Sequence, residues 1–259
     1  MPNWCVNQIQ ITGDDATLTK LAEFVKEQDG EYAGEFSFNR IKPAPTGDEI
    51  YHGRPSQHAF VCGCQPTFDE SMKDEATPNG KWVVNGKPVV KSHDLVEGSF
   101  ASENGFGVER CPEHAAISVR EHPVFFWNWN IANWGTKWSA GEVYSSYEEQ
   151  GIVGGTITYD FDTAWSPPVP IVEALAEKFP SLNIAHYYCE GGMGYAGAAF
   201  YRDGKVADIE EYSAEDLPDE AWHKDAEGKV SWGDRDYDKI PMNEYESFCN
   251  EHFGGVVGG

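Results

Sequence analysis

Long apolar runs and a secretory leader are both missing from this chain. No stretch approaches the roughly 18 consecutive apolar residues that a membrane-spanning helix requires. The start of the chain has no basic segment followed by an apolar one, which is the pattern of a signal peptide. We therefore expect a soluble cytoplasmic protein with no membrane partner.

Cysteine is also scarce, with six residues in a chain of 259. Small secreted domains held by disulfides carry a much denser cysteine framework. The hydrophobic fraction of 40% is large enough to build a core without covalent cross-links. We expect the cysteines to be reduced thiols.

Basic residues are few, since 19 Lys and Arg face 43 Asp and Glu and leave a formal net charge of −24. Such a surface repels phosphate backbones, so direct nucleic-acid binding is disfavoured. The same field attracts a basic protein and raises the rate of encounter with it. Solubility alone is the alternative explanation of this charge.

No catalytic signature is specific enough to name a reaction. The glycines after Glu190 precede a predicted strand, whereas a dinucleotide-binding turn must precede a helix. Four titratable residues near predicted strand ends could act as acid and base or hold a metal: Asp160, Asp162, His186 and Glu190. Alternation places the two aspartates on a solvent face, and no nucleophile accompanies them. A metal-dependent enzyme acting on nucleotides or proteins is retained only as the alternative function.

The hydrophobic pattern predicts the main secondary structure. Period-two alternation predicts strands at residues 4–12, 35–41, 156–164 and 183–189. Helical spacing of Leu18, Leu21, Ala22 and Val25 predicts a helix capped by Asp14 or Asp15. Ile171, Leu175 and Phe179 predict a second helix, capped by Ser166 and ended by Pro180. A glycine-rich turn is expected at residues 191–197.

Two dipeptides, Asn85-Gly86 and Asp203-Gly204, predict β-hairpins because both supply the positive φ angles of a type I′ turn. Residues 43–119 otherwise show no helical period. The order of elements predicts an α+β fold, an antiparallel sheet with two helices on one face. We assign residues 1–42 and 120–212 to this core, 43–119 to a loop-rich insertion after the second strand, and 213–259 to an acidic aromatic C-terminal extension.

Four strings resemble a known family. They are MPNWC at the start, WGTKW at Trp134–Trp138, FDTAWSPP at Phe161–Pro168 and EGGMGYAG at Glu190–Gly197. Together they resemble the YubB-like ferredoxin-fold proteins of phages and conjugative plasmids. The resemblance covers roughly residues 1–42 and 120–212. It implies a ferredoxin-like fold, a mobile-element origin and a bacterial host, but it brings no agreed catalytic residues.

The aromatic run around Trp127, Trp129, Trp134 and Trp138 offers rings on which bases could stack. Such platforms need neighbouring cations, and this run has only Arg120 and Lys137 nearby. Core or interface packing is therefore the favoured explanation. An exposed patch of these rings could pair with itself, so a homo-oligomer is possible.

Two short motifs in the insertion predict a metal site. Cys62-Gly63-Cys64 and Cys111 with His114 provide three thiolates and one imidazole, the ligand set of tetrahedral zinc. The C-x-C spacing is tighter than usual, and buried thiols without a metal are the alternative. His58 is an alternative ligand. Four protein ligands would leave no open position, so the predicted zinc is structural.

Acidic residues are concentrated near the C-terminus, where residues 203–251 contain 16 acidic and 5 basic side chains. The candidate partner-binding residues combine carboxylates with aromatic rings: Asp208, Glu210, Glu211, Glu215, Asp216, Asp219, Glu220, Tyr212, Trp222 and Trp232. Spaced carboxylates can imitate the phosphates of a duplex, and the rings can be desolvated at an interface. A solvated hairpin and tail is the alternative.

These observations favour a non-enzymatic inhibitor or adaptor that needs no cofactor beyond the predicted zinc. The expected partner is a host protein with a basic surface. A nucleic-acid-handling or anti-phage immune effector fits best, and the expected mode of inhibition is DNA mimicry.

Overall fold

The structure is a computed structural model that describes residues 3–29, 33–45, 59–74, 77–92, 108–122, 124–214, 223–224, 230–231 and 242–256. The chain divides into two compact units. The first comprises Met1–Pro43 with Trp134–Gly259, and the second comprises Ala44–Asn133. Within the described ranges, every helix is too short or too polar to cross a membrane.

Strands and helices alternate in the first unit, whereas the second contains mainly short strands. The strands are β1 (Trp4–Thr12), β2 (Thr67–Asp69), β3 (Lys81–Val84), β4 (Lys87–Pro88), β5 (Val90–Ser92), β6 (Val108–Arg110), β7 (Gly141–Ser145), β8 (Thr156–Ala164), β9 (Asn183–Glu190), β10 (Tyr195–Arg202), β11 (Lys205–Ser213), β12 (His223–Lys224) and β13 (Val230–Ser231). The helices are α1 (Asp15–Val25), α2 (Phe38–Ile41), α3 (Phe126–Trp134), α4 (Ser146–Gln150), α5 (Val169–Lys178) and α6 (Glu244–Phe253), with a 3-10 turn at Val119–Glu121.

The first unit is built on a six-stranded antiparallel sheet of order β11-β10-β9-β1-β8-β7. Its chain order β1-α1-β7-β8-α5-β9 and spatial order β9-β1-β8-β7 are those of a ferredoxin-like fold. The β10–β11 hairpin extends the sheet beyond β9. The predicted fold class therefore describes this unit.

Alternation places the core side chains on one face of the central strands. Along β1 the buried residues are Cys5, Asn7, Ile9 and Ile11, and the residues between them are partly exposed. Helix α1 begins where predicted, because the Asp14 carboxylate accepts a hydrogen bond from the Thr17 N–H at 3.0 Å. Burial of Leu18, Leu21, Ala22 and Val25 confirms the predicted helix face.

The strand predicted at residues 35–41 is wrong, because this segment ends in the one-turn helix α2. Phe36 and Phe38 are both buried, and the ring of Phe36 lies 5.2 Å from that of Phe161. Their spacing reflects packing into one core rather than pairing in a sheet. The second strand of the fold is β7, so the insertion follows α1 and α2 instead of a second strand.

Two local predictions near α5 also need correction. Ser166 does not cap α5, since the helix follows Pro168 and the Ser166 hydroxyl donates to the Gly135 carbonyl at 2.6 Å. The turn expected at residues 191–197 is shorter, because β10 starts at Tyr195. Gly197 lies within that strand, and the Tyr188 hydroxyl occupies the space that a side chain would fill.

Helix α6 packs on the same three strands as α5 but against their other face. It is fixed by a cluster that includes Cys189, Ala198, Tyr245, Phe248 and Cys249. On β10, Ala199 and Tyr201 lie on the face opposite Ala198 and are also buried. Both faces of β10 are therefore covered, whereas residues 205–211 of the edge strand β11 are exposed.

Both predicted hairpins are confirmed. Asn85 and Gly86 connect β3 to β4 with φ angles of 50° and 75°, and Asp203 and Gly204 connect β10 to β11 with 52° and 74°. These are the left-handed angles that a type I′ turn needs. The second unit contains the first hairpin, and one of its packed clusters joins Phe60, Val84 and Cys111.

Candidate functional site

The predicted ligand pair Cys62 and Cys64 lies on a tight turn of the second unit. The Gly63 N–H donates to the Phe60 carbonyl at 2.8 Å, and the Phe60 N–H donates to the Cys64 carbonyl at 3.0 Å. Gly63 between the two cysteines has a φ of 84°. A left-handed angle suits glycine, so the turn can bring two thiols one residue apart to the same place.

A second turn carries Cys111 and His114. The Ala115 N–H donates to the Cys111 carbonyl at 2.8 Å, and the Cys111 N–H donates to the Ala116 carbonyl at 2.7 Å. Ala115 takes a φ of 54°, which is uncommon for a residue with a side chain. The reciprocal hydrogen bonds offset that strain and fix the position of both predicted ligands.

Backbone pairing brings the two turns together although they are far apart in the sequence. Phe60 and Ser118 form an antiparallel bridge. The Val61 N–H donates to the Ile117 carbonyl at 3.2 Å, and the Val119 N–H donates to the Ala59 carbonyl at 2.8 Å. This contact places the first pair of cysteines directly beside the second turn.

The four predicted ligands form one cluster, in which one atom from each lies within 4.8 Å of the others. His114 Nδ1 is 3.4 Å from Cys64 Sγ and 3.7 Å from Cys111 Sγ. Cys111 is buried, Cys64 is half-buried, and the other two are exposed. The alternative ligand His58 lies outside the described residues.

The surroundings affect the two inner thiols in opposite directions. Burial raises the pKa of Cys111, but hydrogen bonds from His114 and from the N–H groups of Glu113 and His114 outweigh it and lower the pKa to about 7. The pKa of Cys64 is raised to about 11, first by its hydrogen bond with Cys62 and then by burial. Three close sulfurs cannot all ionise unless a cation compensates their charge.

The described part of the predicted acidic surface lies on β11, at one edge of the sheet. Asp208, Glu210 and Glu211 are exposed there, and Tyr212 is half-buried. Alternation directs Asp208, Glu210 and Tyr212 toward the face that α6 covers, whereas Glu211 is directed to the other face. The remaining candidates lie outside the described residues: Glu215, Asp216, Asp219, Glu220, Trp222 and Trp232.

An open cleft of about 490 Å³ lies between this edge of the sheet and α6. Its lining residues are Tyr187, Phe200, Glu210, Tyr212, Glu244, Ser247, Phe248, Glu251 and His252, and we call it the acidic cleft. The sequence prediction included only Glu210 and Tyr212 from this set. For the lining residues on α6, the available signal is the helical spacing of Glu244, Phe248 and Glu251 beside the capping pattern of Asn243 and Glu246.

Packed rings form one side of the acidic cleft. The Phe248 ring centroid is 4.9 Å from that of Tyr212 and 4.6 Å from that of His252. Tyr187 stacks on His252 and meets Phe200 edge to face at 6.0 Å. These contacts order the rings without ligand.

Carboxylates form the other side. Glu210, Glu244 and Glu251 are exposed, and none of them pairs with a basic side chain within the described ranges. Their field reaches the rings: burial raises the pKa of Tyr212, as do its hydrogen bond to Glu210 and the charges of Glu244 and Glu251. None of the lining residues is Lys or Arg. The acidic cleft therefore combines uncompensated negative charge with aromatic surface.

The four residues of the alternative active site do not come together. His186 is fully buried with Nε2 3.0 Å from Asn7 Oδ1, and strand register places it on the face opposite Asp160 and Asp162. Burial lowers the pKa of His186 to about 3 and raises that of Asp162. Both Glu190 oxygens accept backbone hydrogen bonds, from Gly192 and Met193. Glu190 therefore stabilises a turn.

The strings WGTKW and FDTAWSPP pack against each other as a structural junction. Trp134 is fully buried and its Nε1 donates to the Lys42 carbonyl at 2.8 Å. The Thr136 hydroxyl donates to the Ala164 carbonyl at 2.9 Å. Trp138 meets Trp4 edge to face at 6.3 Å. Trp134 therefore cannot stack on a base, whereas Trp127 and Trp129 are half-buried.

A family model described as a ferredoxin-like domain in Api92-like protein matches residues 133–227. The chain contains a ferredoxin-like domain. The structure is also similar to the crystal structure of protein api92 from Yersinia pseudotuberculosis, with 16% sequence identity, a TM-score of 0.41 and coverage of 83% of this chain and 99% of that chain. Comparison with the curated proteins gives no match. The family match confirms the predicted ferredoxin-like fold class, and its residues include strands β7 to β11.

Proposed function

We propose that this protein is a non-enzymatic binding protein that occupies the basic surface of another protein. Its partner is a nucleic-acid-handling or immune effector of a bacterial host, and it inhibits that effector by presenting carboxylates where DNA phosphates would bind. The resemblance to proteins of phages and conjugative plasmids supports this biological setting. The observation on which the proposal depends is the acidic cleft.

The chemistry of the acidic cleft fits a guanidinium or ammonium group. Glu210, Glu244 and Glu251 can accept its hydrogen bonds, and a desolvated cation gains further attraction from aromatic faces. The rings of Tyr187, Phe200, Tyr212 and Phe248 are ordered by their mutual contacts, so little entropy is lost when a ligand binds. An arginine or lysine projecting from a basic surface has both the charge and the reach.

A labelled arginine-rich peptide tests this proposal by fluorescence anisotropy. We expect replacement of Glu210, Glu244 and Glu251 by Gln to weaken binding at least about tenfold, since three exposed contacts of about 0.5 kcal/mol each are lost. In the matched control, Gln replaces Glu23, Glu173 and Glu177. These three residues are exposed on α1 and α5, so the control removes the same charge as the cleft variant. Binding should also weaken as salt rises.

Equal weakening in the two triple variants would show that net charge alone attracts the peptide, and the acidic cleft would lose its role. The inhibitor role needs a second experiment with the immobilised chain and a bacterial host extract. We expect the wild-type chain and the control variant to capture a partner in stoichiometric amounts, and the cleft variant to fail to capture it. Duplex DNA should displace this partner from the chain. A partner that binds this chain and DNA at the same time would contradict mimicry.

A further inference from the structure

The second unit contains a group of side chains that the acidic cleft does not use. We propose that Cys62, Cys64, Cys111 and His114 bind one Zn²⁺ ion in a tetrahedral structural site. This proposal stands on the geometry of the two turns and does not depend on the proposed function.

The distances match the coordination that zinc prefers. Bond lengths of about 2.3 Å to sulfur and about 2.0–2.1 Å to nitrogen place neighbouring ligand atoms of a tetrahedron about 3.5–3.8 Å apart. His114 Nδ1 lies 3.4 Å from Cys64 Sγ and 3.7 Å from Cys111 Sγ. All four ligand atoms fall within 4.8 Å of one another, so small side-chain rotations close the shell.

Backbone hydrogen bonds hold the two turns that carry the ligands. The antiparallel bridge between Phe60 and Ser118 joins one turn to the other. Reciprocal hydrogen bonds fix both turns, so the ligands are held in place by the fold.

A metal explains the composition of the cluster better than the alternatives. A disulfide would join two of the three sulfurs and leave the third thiol and the imidazole unused. The cluster borders the small packed group of Phe60, Val84 and Cys111, and such a limited core gains stability from a metal. Mixed thiolate and imidazole ligands in tetrahedral geometry select zinc.

The ligand count separates a structural role from a catalytic one. Catalytic zinc sites keep a position for water or substrate, whereas four protein ligands fill the shell. The ion would therefore hold the loop of Cys62 and Cys64 against the loop of Cys111 and His114. This site therefore does not support the alternative function of a metal-dependent enzyme.

Metal analysis of the full-length chain, purified under reducing conditions without chelator, is the direct test. We expect about one zinc ion per chain, as for other sites with four protein ligands. After zinc is removed, added Co²⁺ should give the intense visible absorption of a tetrahedral thiolate complex. X-ray absorption of the zinc form should show three sulfur neighbours and one nitrogen neighbour.

A variant pair assigns the ligands. Cys62→Ser changes an exposed thiol, and we expect zinc affinity to fall by more than about 100-fold, beyond the effect of losing an outer-shell partner. Cys189→Ala, in the first unit, should keep the zinc content of the wild type. The Gln variant of the acidic cleft should also keep its zinc, so the two proposals can fail separately.

Three results would overturn the site. The first is a wild-type chain that binds neither Zn²⁺ nor Co²⁺. The second is a cobalt form with the weak visible spectrum of an octahedral complex. The third is a Cys62→Ser chain whose zinc affinity equals that of the Cys189→Ala chain. The cobalt and X-ray measurements use the wild-type chain, so they remain decisive even if a variant fails to fold.

Discussion

The imidazole of His252 stacks on the ring of Tyr187, with centroids 4.1 Å apart and ring planes 19° apart. One residue belongs to the C-terminal helix α6 and the other to β9 of the sheet. The stack connects α6, which a ferredoxin-like core does not require, to β9, which is one of the four strands of that core. The acidic cleft exists because this contact and that of Phe248 position α6 beside β11.

Replacing Phe248 by Ala should release α6 from the sheet. Phe248 is 6% exposed and contacts Tyr187, Tyr212 and His252. Removal of a buried Phe costs about 3–5 kcal/mol. Hydrogen exchange should show a large loss of protection in α6 and a smaller loss in β1 and β8. The control Phe68→Ala, at a residue 43% exposed, should leave α6 protected. Unchanged exchange in α6 would contradict this packing.

Asn243 caps α6, and its removal should destabilise the helix. The Asn243 side chain accepts from the Glu246 N–H at 2.7 Å, and the Glu246 carboxylate accepts from the Asn243 N–H at 3.2 Å. We expect Asn243→Ala to cost about 0.5–2 kcal/mol in thermal or urea unfolding. The control Asn250→Ala, exposed within the same helix, should be neutral or slightly stabilising because Ala favours helix. Equal effects would argue against the cap.

Gly135 of the WGTKW string should tolerate no side chain. It has a φ of 81°, and a Cβ there would lie 2.7 Å from Pro170 Cδ and 3.1 Å from the Pro167 carbonyl oxygen. Gly254 has a similar φ of 74° but no atom within 4 Å of such a Cβ. Both Ala variants incur about 1–2 kcal/mol of backbone strain. Gly135→Ala should cost about 1–3 kcal/mol more from overpacking. Equal unfolding free energies in urea would refute the clash.

His186 should make stability fall in acid. Burial lowers its pKa to about 3, whereas an unfolded histidine titrates near 6.5. Between these values the unfolded chain binds a proton that the folded chain does not, so the free energy of unfolding decreases as pH falls, by up to about 1.4 kcal/mol per pH unit. His186→Gln should show a shallower slope in urea unfolding between about pH 6.5 and pH 4. Identical slopes for both chains, which share every other titrating group, would exclude this role.

Local structure could be predicted where neighbouring residues decide it. Alternation gave β1, β8 and β9, helical spacing gave α1 and α5, and two dipeptides gave the hairpin turns. The second strand of the sheet was misassigned because the chemistry of Phe36 and Phe38 is compatible with either a strand or a packed turn. Strand β7 was missed because its hydropathy does not follow its burial: Tyr144 is exposed and Ser145 is buried.

The two candidate sites differ in how many of their residues could be predicted from the sequence. The ligand types of the metal cluster were readable, yet their meeting depends on the bridge between Phe60 and Ser118. Only Glu210 and Tyr212 of the acidic cleft were predicted. Its other lining residues come from β9, β10 and α6, which are distant along the chain.

The sequence by itself determined the charge of the chain, the period of its strands and helices and the φ angles of its tight turns. Each of these depends on composition or on residues within one or two turns of one another. Tertiary structure alone decided that β7 completes the sheet, that α6 lies beside β11, and that three cysteines surround His114. These outcomes require pairing and packing between distant segments, whose free energy no local pattern contains.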